Sequence, residues 1–379
     1  MMCKLSDICE FVKGKVAVST LTKLNYISTE NMLPNRGGIV EAATLPSTDT
    51  TQVYSAGDIL VSNIRPYFKK IWVANTNGGC SNDVLVFRAK QGVNPIYLYY
   101  ILSDDKFFNY ATATSKGTKM PRGDKVAIMG YEIEKHTRQQ QDVIASILQP
   151  IDDKIVLNRE INNNLYEMVN AYYTSLFKDV ECEMTTIGNY AERIYSGGTP
   201  TTSNATYWDG AFGWFSSGET RNRFVISTEK TITQAGIDNS STKLAEKHDI
   251  VMASAGQGFT RGQTSMLLID TYVNQSVIVI HADRNVLPYL FWNLANRYEE
   301  LRAISDSSSI RGSLTTKMIA TFEIPLATED SLQAFADFSW SVIPQIENNL
   351  LENESLAALR DTLLPKLMSG EVDVSSIQI

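Results

Sequence analysis

The sequence predicts an α+β protein: two mixed α/β domains separated by two long antiparallel coiled-coil helices, with an internal pseudo-twofold repeat. Three observations predict this fold class. They are the length of 379 residues, a repeat at an offset of 191 residues, and a heptad pattern at the end of each half. A chain of this length can form two domains that each bury a core.

The repeat appears when the sequence is shifted by 191 residues against itself. Residues 58–61 (DILV) then align with residues 249–252 (DIVM), and one register continues without a gap from about residue 117 to residue 177. Such a register is hard to obtain by chance, so we infer a duplicated unit. Further aligned pairs are Tyr131 with Phe322, Asn158 with Asn349, Asn162 with Asn353 and Leu176 with Leu367.

Each half begins with strand-like runs and ends in a long helical pattern. Apolar residues recur at spacings of three and four from Ile144 to Leu176 and from Phe335 to Leu367, which is a heptad seam. Pro150 and Pro344 predict that these helices start late or kink, because proline removes a backbone donor. Strands are predicted at 58–62, 71–74, 84–88 and 277–281.

Asn158 and Asn349 occupy equivalent positions near the middle of the two seams. If the helices pack antiparallel, we expect these amides to meet at the centre and fix the helix register, since a slipped register leaves polar groups unpaired. The alternative is that both amides are solvated. Helices of roughly 40 residues are about 60 Å long, enough to hold two domains at a fixed separation.

The charge distribution argues against a protein that holds DNA through bulk charge alone. The net charge is −8, yet residues 1–137 carry 16 Lys and Arg against 12 Asp and Glu. Residues 328–379 carry 2 Lys and Arg against 9 Asp and Glu, so much of the acidity lies in the last helix and tail. A protein that reads DNA while partner subunits neutralise many phosphates fits this distribution.

The sequence also predicts a cytoplasmic protein. No apolar run approaches the roughly 18 residues that cross a bilayer, and the first residues lack the pattern of a secretory signal. The four cysteines show neither CxxC spacing nor a dense disulfide framework, so reduced thiols are expected.

We find no catalytic, metal or cofactor motif in the sequence. His136, His248 and His281 lack metal-ligand spacing, and no GxxxxGK phosphate loop occurs. Residues 152–154 (DDK) resemble a nuclease motif, but the repeat replaces all three, which favours a structural role. Residues 94–97 (NPIY) resemble the motif with which adenine methyltransferases hold a flipped base, yet a helix that begins at proline explains them.

Three further motifs remain: residues 140–155, which include QQDVIA and IDDKI; residues 363–374 (LLPKLMSGEVDV); and residues 196–200 (SGGTP) before Tyr207 and Trp208. They resemble the central conserved region, the distal conserved region and a target-recognition domain opening of type I restriction–modification specificity subunits. The resemblance covers essentially the whole chain. The first half departs from the pattern, because it has VKGK at 12–15 in place of the GGTP opening.

The resemblance implies a non-catalytic subunit whose two target-recognition domains each read one half of a bipartite double-stranded DNA site. Its helices set the spacer between the halves and dock the modification (methyltransferase) subunits, while restriction (motor-nuclease) subunits complete the complex; no membrane partner is implied. The alternatives are a fused restriction–methylation enzyme and a coiled-coil scaffold that does not bind DNA. The implied segments are target-recognition domain 1 (1–137), the central helix (138–178), target-recognition domain 2 (179–327), and the distal helix with its tail (328–379).

Candidate DNA contacts lie on loops that combine cations, amides and aromatic side chains, because base edges and phosphates require such partners. For each single residue, ordinary solvated surface is the alternative. The candidates are Asn63, Arg65, Tyr67, Lys69, Lys70, Lys116, Lys119 and Arg122 in the first half, and Arg221, Arg223, Gln257, Thr260, Arg261 and Arg311 in the second.

Overall fold

The computed structural model describes residues 2–178, 183–256, 260–307, 312–375 and 377. Contacts divide the chain into two compact units. Unit 1 consists of Met1–Ile155 and Ser355–Ile379, and unit 2 consists of Val156–Glu354. Both units combine β-sheets with helices, so the predicted fold class is confirmed. No helix among the described residues is long and apolar enough to cross a membrane.

Unit 1 is built around two four-stranded sheets and a short two-stranded ladder. The sheet orders are β2-β9-β6-β7 and β3-β5-β8-β4, and β1 pairs antiparallel with β10. The strands are β1 (Met2–Lys4), β2 (Cys9–Phe11), β3 (Lys15–Ala17), β4 (Tyr26–Ile27), β5 (Thr50–Tyr54), β6 (Ile59–Ser62), β7 (Ile71–Val73), β8 (Gly78–Cys80), β9 (Val84–Ala89) and β10 (Glu132–Glu134). The short helices are α1 (Leu5–Ile8), α2 (Pro95–Ser103), α3 (Asp105–Ala113) and α4 (Lys125–Met129).

Unit 2 repeats this plan with one added edge strand. Its sheet orders are β12-β20-β17-β18-β14 and β15-β13-β19-β16, and β11 pairs antiparallel with β21. The strands are β11 (Met184–Thr186), β12 (Ala191–Ser196), β13 (Trp208–Phe215), β14 (Phe224–Val225), β15 (Lys230–Ile232), β16 (Lys243–Ala245), β17 (Ile250–Ala253), β18 (Thr264–Leu267), β19 (Thr271–Val273), β20 (Val277–Ala282) and β21 (Glu323–Pro325). The short helices are α6 (Ile187–Tyr190), α7 (Gln234–Asp238), α8 (Leu287–Asn296), α9 (Tyr298–Ser307) and α10 (Thr316–Ala320).

The predicted strands near 58–62, 71–74, 84–88 and 277–281 are confirmed as β6, β7, β9 and β20. They alternate with turns and carry β-branched or aromatic residues that suit a buried sheet. The NPIY segment is the start of α2: Asn94 caps the helix by accepting hydrogen bonds from the backbone N–H groups of Ile96 and Tyr97. Its residues therefore serve helix initiation, as proline at the first helical position predicts.

Two long helices end the two halves of the chain, α5 (Arg138–Phe177) and α11 (Glu329–Met368), each of 40 residues. Pro150 and Pro344 lie inside them, so the expectation of a late start is wrong. In unit 1 the seam residues Ile144 and Leu148 share a hydrophobic cluster with Leu364 and Leu367. Asn158 contacts Asn353 whereas Asn162 contacts Asn349, so rising residue numbers on α5 meet falling numbers on α11, and the helices pack antiparallel as predicted.

The seam asparagines are buried, but the expected contact between Asn158 and Asn349 is wrong. The Asn158 amide donates to Asn353 Oδ1 (3.0 Å) and to Glu352 (2.7 Å), and the Asn349 amide donates to Asn162 Oδ1 (2.7 Å). In an antiparallel pair, equivalent residues meet only at the local twofold axis. Asn158 and Asn349 are repeat equivalents that lie off that axis, so they do not face each other. Asn158 instead faces Asn353, and Asn349 faces Asn162, the repeat equivalent of Asn353.

Candidate nucleic-acid interface

Two loops of unit 1 that the sequence singled out separately lie side by side. Asn63 follows β6, and its carbonyl accepts a hydrogen bond from the Gly123 N–H (3.1 Å). The Arg65 N–H donates to the Pro121 carbonyl (2.8 Å), and Ile64 forms an antiparallel bridge with Arg122. Residues 63–70 and 115–122 therefore form one surface, which we call loop surface 1.

Unit 2 contains the same juxtaposition at the repeat offset. The Leu314 N–H donates to the Ser254 carbonyl (2.9 Å), and these residues are the equivalents of Gly123 and Asn63. The loops at 254–261 and 306–313 thus form loop surface 2, within the part of them that the structure describes. Gln257 and Arg311 lie outside the described residues. The shared backbone contact belongs to the duplicated fold, whereas the side chains on the two loop surfaces differ.

The backbone of loop surface 1 takes an unusual conformation that presents aromatic rings to solvent. Arg65 and Lys69 both have φ of 51°, in the left-handed region that non-glycine residues rarely adopt, and they flank a single turn of 3₁₀-helix at Pro66–Phe68. This turn leaves Tyr67 47% and Phe68 39% exposed, with ring centroids 4.8 Å apart. The two rings are tilted by 56° to each other. Exposed aromatic rings with cations on either side are suited to bind a planar or anionic ligand.

Three cations of loop surface 1 pair with aspartates at the margins of the loops. These exposed pairs contribute little to stability because water and salt screen them. The Lys116 ammonium beside Asp124 lowers the pKa of that carboxyl, which therefore stays ionised. A phosphate could replace the carboxylates at little cost. The pairs are Lys69 with Asp105 (2.8 Å), Lys116 with Asp124 (2.5 Å) and Arg122 with Asp83 (3.1 Å).

Two of the candidates in unit 1 are less accessible. Asn63 is buried, and its Oδ1 has no hydrogen-bond partner among the described residues. Lys70 donates from Nζ to the Thr29 carbonyl (2.6 Å), and burial lowers the pKa of its ammonium. Lys119, by contrast, is exposed at the tip of its loop. The exposed members of loop surface 1 are thus better placed to reach a ligand than Asn63 and Lys70.

In unit 2, Arg261 braces loop surface 2 from within. Its Nη1 donates to the Gly312 carbonyl (2.5 Å), and its Nη2 pairs with Asp306 (2.5 Å). Gly312 has φ of +62°, and a side chain there would overlap the Arg261 guanidinium. Thr260, half-buried in the same loop, accepts a backbone hydrogen bond from Gln263 (2.9 Å). Arg261 is predicted from the sequence as a DNA contact, but in the structure its guanidinium supports the loop.

Arg221 and Arg223 lie between β13 and β14. Arg221 donates to the Gly218 carbonyl (2.7 Å) and pairs with Glu229, but more than half of its side chain is exposed. The guanidinium of Arg223 lies 4.2 Å from the centroid of the Tyr166 ring on α5. Because this cation–π contact uses a ring face, the edge of the guanidinium keeps its donors for other partners.

The residues considered as catalytic candidates have structural partners. Asp152 accepts hydrogen bonds from the Tyr100 hydroxyl (2.9 Å) and from Arg360 Nη1 (2.8 Å), in keeping with the structural role favoured above. His136 contacts the Tyr97 hydroxyl (2.8 Å), and burial lowers the pKa of this imidazole. In the described part of the chain, no group of three or more His, Cys, Asp or Glu side chains could hold a metal ion.

Comparison with known proteins decides the family. The family described as Type I restriction modification DNA specificity domain matches residues 1–167 and again residues 180–352. The chain belongs to this family. The two matches fall on the two halves that the sequence repeat defines.

One relative in the family matches nearly the whole chain, and another matches about half of it. The HindI type I restriction enzyme specificity subunit of Haemophilus influenzae is 20% identical over 455 aligned residues, covering 97% of this chain and 98% of that protein. The EcoR124I/EcoR124II specificity subunit of Escherichia coli is 25% identical over 202 residues, or 51% of this chain and 50% of its own. The crystal structure of the type I restriction-modification S subunit from M. genitalium has the same fold, with a TM-score of 0.60 and 17% identity over 97% of this chain and 96% of its own.

For this family member, sequence reasoning missed the segment that supports loop surface 1. The Asn35 and Arg36 N–H groups donate to the carbonyls of Phe68 (2.8 Å) and Lys69 (2.9 Å), and both donors have positive φ. Nothing periodic marks this segment in the sequence. The partners of the seam asparagines, Asn162 and Asn353, did carry a signal, because the repeat aligns them with each other.

Proposed function

We propose that this chain is the sequence-specific DNA-binding subunit of a type I restriction–modification complex. Each of its two recognition domains reads one half of a bipartite site in double-stranded DNA, and the chain itself catalyses no reaction. The observation that carries this proposal is the pair of loop surfaces, in which one backbone hydrogen bond between the loops recurs at the repeat offset while the residues of the loops differ. The relatives are named specificity subunits of type I restriction enzymes, which agrees with it.

The chemistry of loop surface 1 suits DNA in two ways. Lys116, Lys119 and Arg122 are exposed cations at one edge, where phosphate oxygens would compete with the aspartates that now pair with two of them. Arg65 and Tyr67 lie on the strained turn, which gives their side chains a fixed starting position. Phosphate contacts position a protein on DNA, whereas contacts to base edges supply the sequence information.

The two recognition domains are proposed to span residues 1–137 and 179–327, with the helical segments at 138–178 and 328–379 between and after them. Both α5 and α11 continue without a break from one compact unit into the other. A continuous helix transmits length at about 1.5 Å per residue. We therefore assign these helices the role of setting the spacer between the half-sites and of docking the modification subunits.

Partner subunits supply what this chain lacks. Its net charge of −8 cannot by itself attract the phosphate backbone over a long site. In the proposed complex, modification subunits bring the methyl donor and the adenine chemistry, and restriction subunits bring translocation and cleavage. The expected location is the cytoplasm.

A domain exchange tests this proposal. Residues 1–137 are replaced by the corresponding domain of another family member, and the methylated motif is mapped on genomic DNA in cells that express the partner subunits. One half of the recognised sequence should change, because the second domain is untouched. The donor domain should keep an asparagine at position 94 and a tyrosine at position 100, since these side chains contact α5 through Asp142 and Asp152.

The matched control exchanges residues 179–327 instead and should change the other half only. If either exchange changed both halves, or if neither changed the motif, the two domains would not be independent readers. Methylation by the purified chain without partner subunits would contradict the non-catalytic assignment.

A further inference from the structure

An ion pair joins the two long helices inside unit 1. Asp152 of α5 accepts a hydrogen bond from Arg360 Nη1 of α11 (2.8 Å), and only 20% and 10% of the two side chains are exposed. The Tyr100 hydroxyl of α2 donates to the second oxygen of Asp152 (2.9 Å). The carboxylate is therefore satisfied on both oxygens in a largely apolar seam.

The equivalent positions in unit 2 are apolar. The repeat offset places Ile343 of α11 at the position of Asp152, and Val169 of α5 at the position of Arg360. Both are buried in the hydrophobic cluster of unit 2, at 1% and 0% exposure. The helix α8, which corresponds to α2, contributes the buried rings of Phe291 and Trp292. The seam thus contains a buried ion pair in unit 1, and apolar side chains occupy the equivalent positions in unit 2, although the two helices are copies of one repeat.

This asymmetry matters because the two helices resemble each other and are candidates to pair with second copies of themselves. The seam asparagines do not prevent such pairing. In a pair of two α5 helices from two chains, Asn158 would meet Asn162 of the second copy, as it now meets the equivalent Asn353. The asparagine pairs would thus recur with either partner, and only the hydrogen bond from Asn158 to Glu352 would be lost, because the repeat equivalent of Glu352 on α5 is Ile161.

The ion pair, in contrast, can form only between α5 and α11. In the same register, two paired α5 helices would bury each Asp152 against Val169 of the second copy. Two paired α11 helices would bury each Arg360 against Ile343. The first assembly leaves two carboxylates with only the Tyr100 hydroxyl as a partner, and the second leaves two guanidinium groups with only the exposed Asp361 beside them. Both lose the buried opposite charge, which is unfavourable in an apolar seam. Only the pairing of α5 with α11 matches charge with charge and apolar side chain with apolar side chain.

We propose that Asp152 and Arg360 determine which helix pairs with which. They restrict α5 to α11 and exclude assemblies in which a second copy of this chain joins through like helices. Stability alone does not require the ion pair, because an apolar set at the same positions packs in unit 2. The functional consequence rests on the proposed function: pairing of unlike helices keeps two different readers together, whereas pairing of like helices would join two identical readers.

The test uses the full chain and a variant in which unit 1 receives apolar side chains, Tyr100→Phe/Asp152→Ile/Arg360→Val. Chains with natural nitrogen and chains labelled with ¹⁵N are unfolded together and refolded together at a series of chain concentrations. Lysine cross-linking then joins neighbouring helices, and mass spectrometry identifies peptides that contain Lys154 from one light and one heavy chain. Light scattering measures the molar mass of the refolded species.

The natural chain should refold as a monomer with no mixed-isotope α5–α5 peptides. The apolar variant should refold with equal yield and should form dimers whose fraction rises with concentration, together with those mixed peptides. The control variant Lys247→Gln/Glu347→Gln removes an ion pair within unit 2, between a loop lysine and α11, that does not join the two long helices. It should behave like the natural chain.

A second variant reaches the same end with charges retained. Val169→Arg/Ile343→Asp gives both ends of the seam an ion pair, so that all helix pairings become matched, and it too should form mixed dimers. The proposal is overturned if both variants remain monomeric, if the apolar variant cannot fold, or if the natural chain forms like pairs as readily as the variants. None of these readouts involves DNA, so their outcome is independent of whether the proposed function is correct.

Discussion

At the scale of single residues, a buried aspartate begins the same strand in both units. In unit 1, Asp58 accepts a hydrogen bond from the Ser55 N–H (2.8 Å) and is held by Arg88 through two contacts of 2.7 Å. It thereby closes the turn before β6 and ties that turn to β9. Because Asp58 is only 2% exposed, its charge depends on these partners for stabilisation.

Unit 2 keeps the aspartate and changes its partner. Asp249 accepts from the Glu246 N–H (2.9 Å), the equivalent of Ser55, but its other oxygen lies 2.6 Å from Nδ1 of His281. Burial raises the pKa of Asp249. The aspartate and its turn are thus a property of the repeat, while the residue that balances the charge has diverged.

We predict that Asp58→Ala lowers the free energy of unfolding of unit 1 by about 2–3 kcal/mol. The substitution leaves the half-buried Ser55 N–H without its acceptor and Arg88 without its partner, although Arg88 can turn to solvent. Urea-dependent hydrogen exchange of the backbone amides of β6 and β9 measures the loss within unit 1, because tryptophan fluorescence would be dominated by the four tryptophans of unit 2. Glu371→Ala, at an exposed ion pair with Lys366, is the control and should change stability by less than about 0.5 kcal/mol. Equal effects of the two substitutions would contradict the structural role of Asp58.

Residue types alone did not reveal which candidate cations are free to bind. Arginine and glutamine in a loop are typical of base contacts, which makes Arg261 a candidate. In the structure, however, its Nη1 donates to the Gly312 carbonyl and its Nη2 to Asp306. The sequence is the same whether a guanidinium meets a phosphate or a carbonyl of its own chain. The exposure of Tyr67 likewise follows from a left-handed turn that no composition rule predicts.

At the scale of secondary structure elements, the long helices were the most predictable part of the molecule. Heptad spacing indicates their extent to within a few residues, because a helix that buries one face has apolar residues at spacings of three and four. Their register was not predictable in the same way. The repeat shows which residues are equivalent, whereas contact across an antiparallel pair depends on the distance of each residue from the local axis.

A double-mutant cycle can test the observed register. Asn349→Ala should lower the free energy of unfolding by about 1–2 kcal/mol, because it removes the donor that binds the side-chain Oδ1 of Asn162. Asn162→Ala with Asn349→Ala should cost less than the sum of the single substitutions, with a coupling of about 1 kcal/mol. The cycle of Asn158 with Asn349 serves as the comparison and should show clearly weaker coupling, because these residues have other partners. Stronger coupling between Asn158 and Asn349 would restore the register that the sequence suggested.

At the scale of the whole molecule, the compact units do not coincide with the segments that sequence motifs suggest. The motifs mark long helices as separate segments, but contacts assign part of each helix to unit 1 and part to unit 2. A linear sequence cannot display this, because unit 1 joins residues up to 155 with residues from 355 onward. Only the antiparallel pairing of α5 with α11 brings the two stretches into one core.

We predict that lengthening both helices lengthens the spacer of the recognised DNA. The contacts of Asn158 and Asn162 place residue 160 opposite residue 351, so four residues inserted after Glu160 and four after Leu351 face each other. Each helix gains about 6 Å, which corresponds to one or two base pairs at about 3.4 Å per base pair. Mapping of the methylated motif in cells with partner subunits provides the measurement.

The half-site bases should stay unchanged in that variant, since no recognition loop is altered. Four residues inserted after the exposed Gly92 form the control and should leave the spacer as it is. A fully active variant with an unchanged spacer would show that the helices do not set the distance between half-sites.

The composition of unit 1 also has a consequence for biosynthesis. Unit 2 is one uninterrupted stretch of chain, and its last residue, Glu354, is synthesised before the last core residues of unit 1. Unit 1 begins first and yet must wait, because Leu364, Leu367 and Val374 belong to its core. We therefore expect the order of folding to reverse the usual order of translation. Substitutions at Leu364, Leu367 or Val374 would then impair the folding of unit 1, whose synthesis begins first.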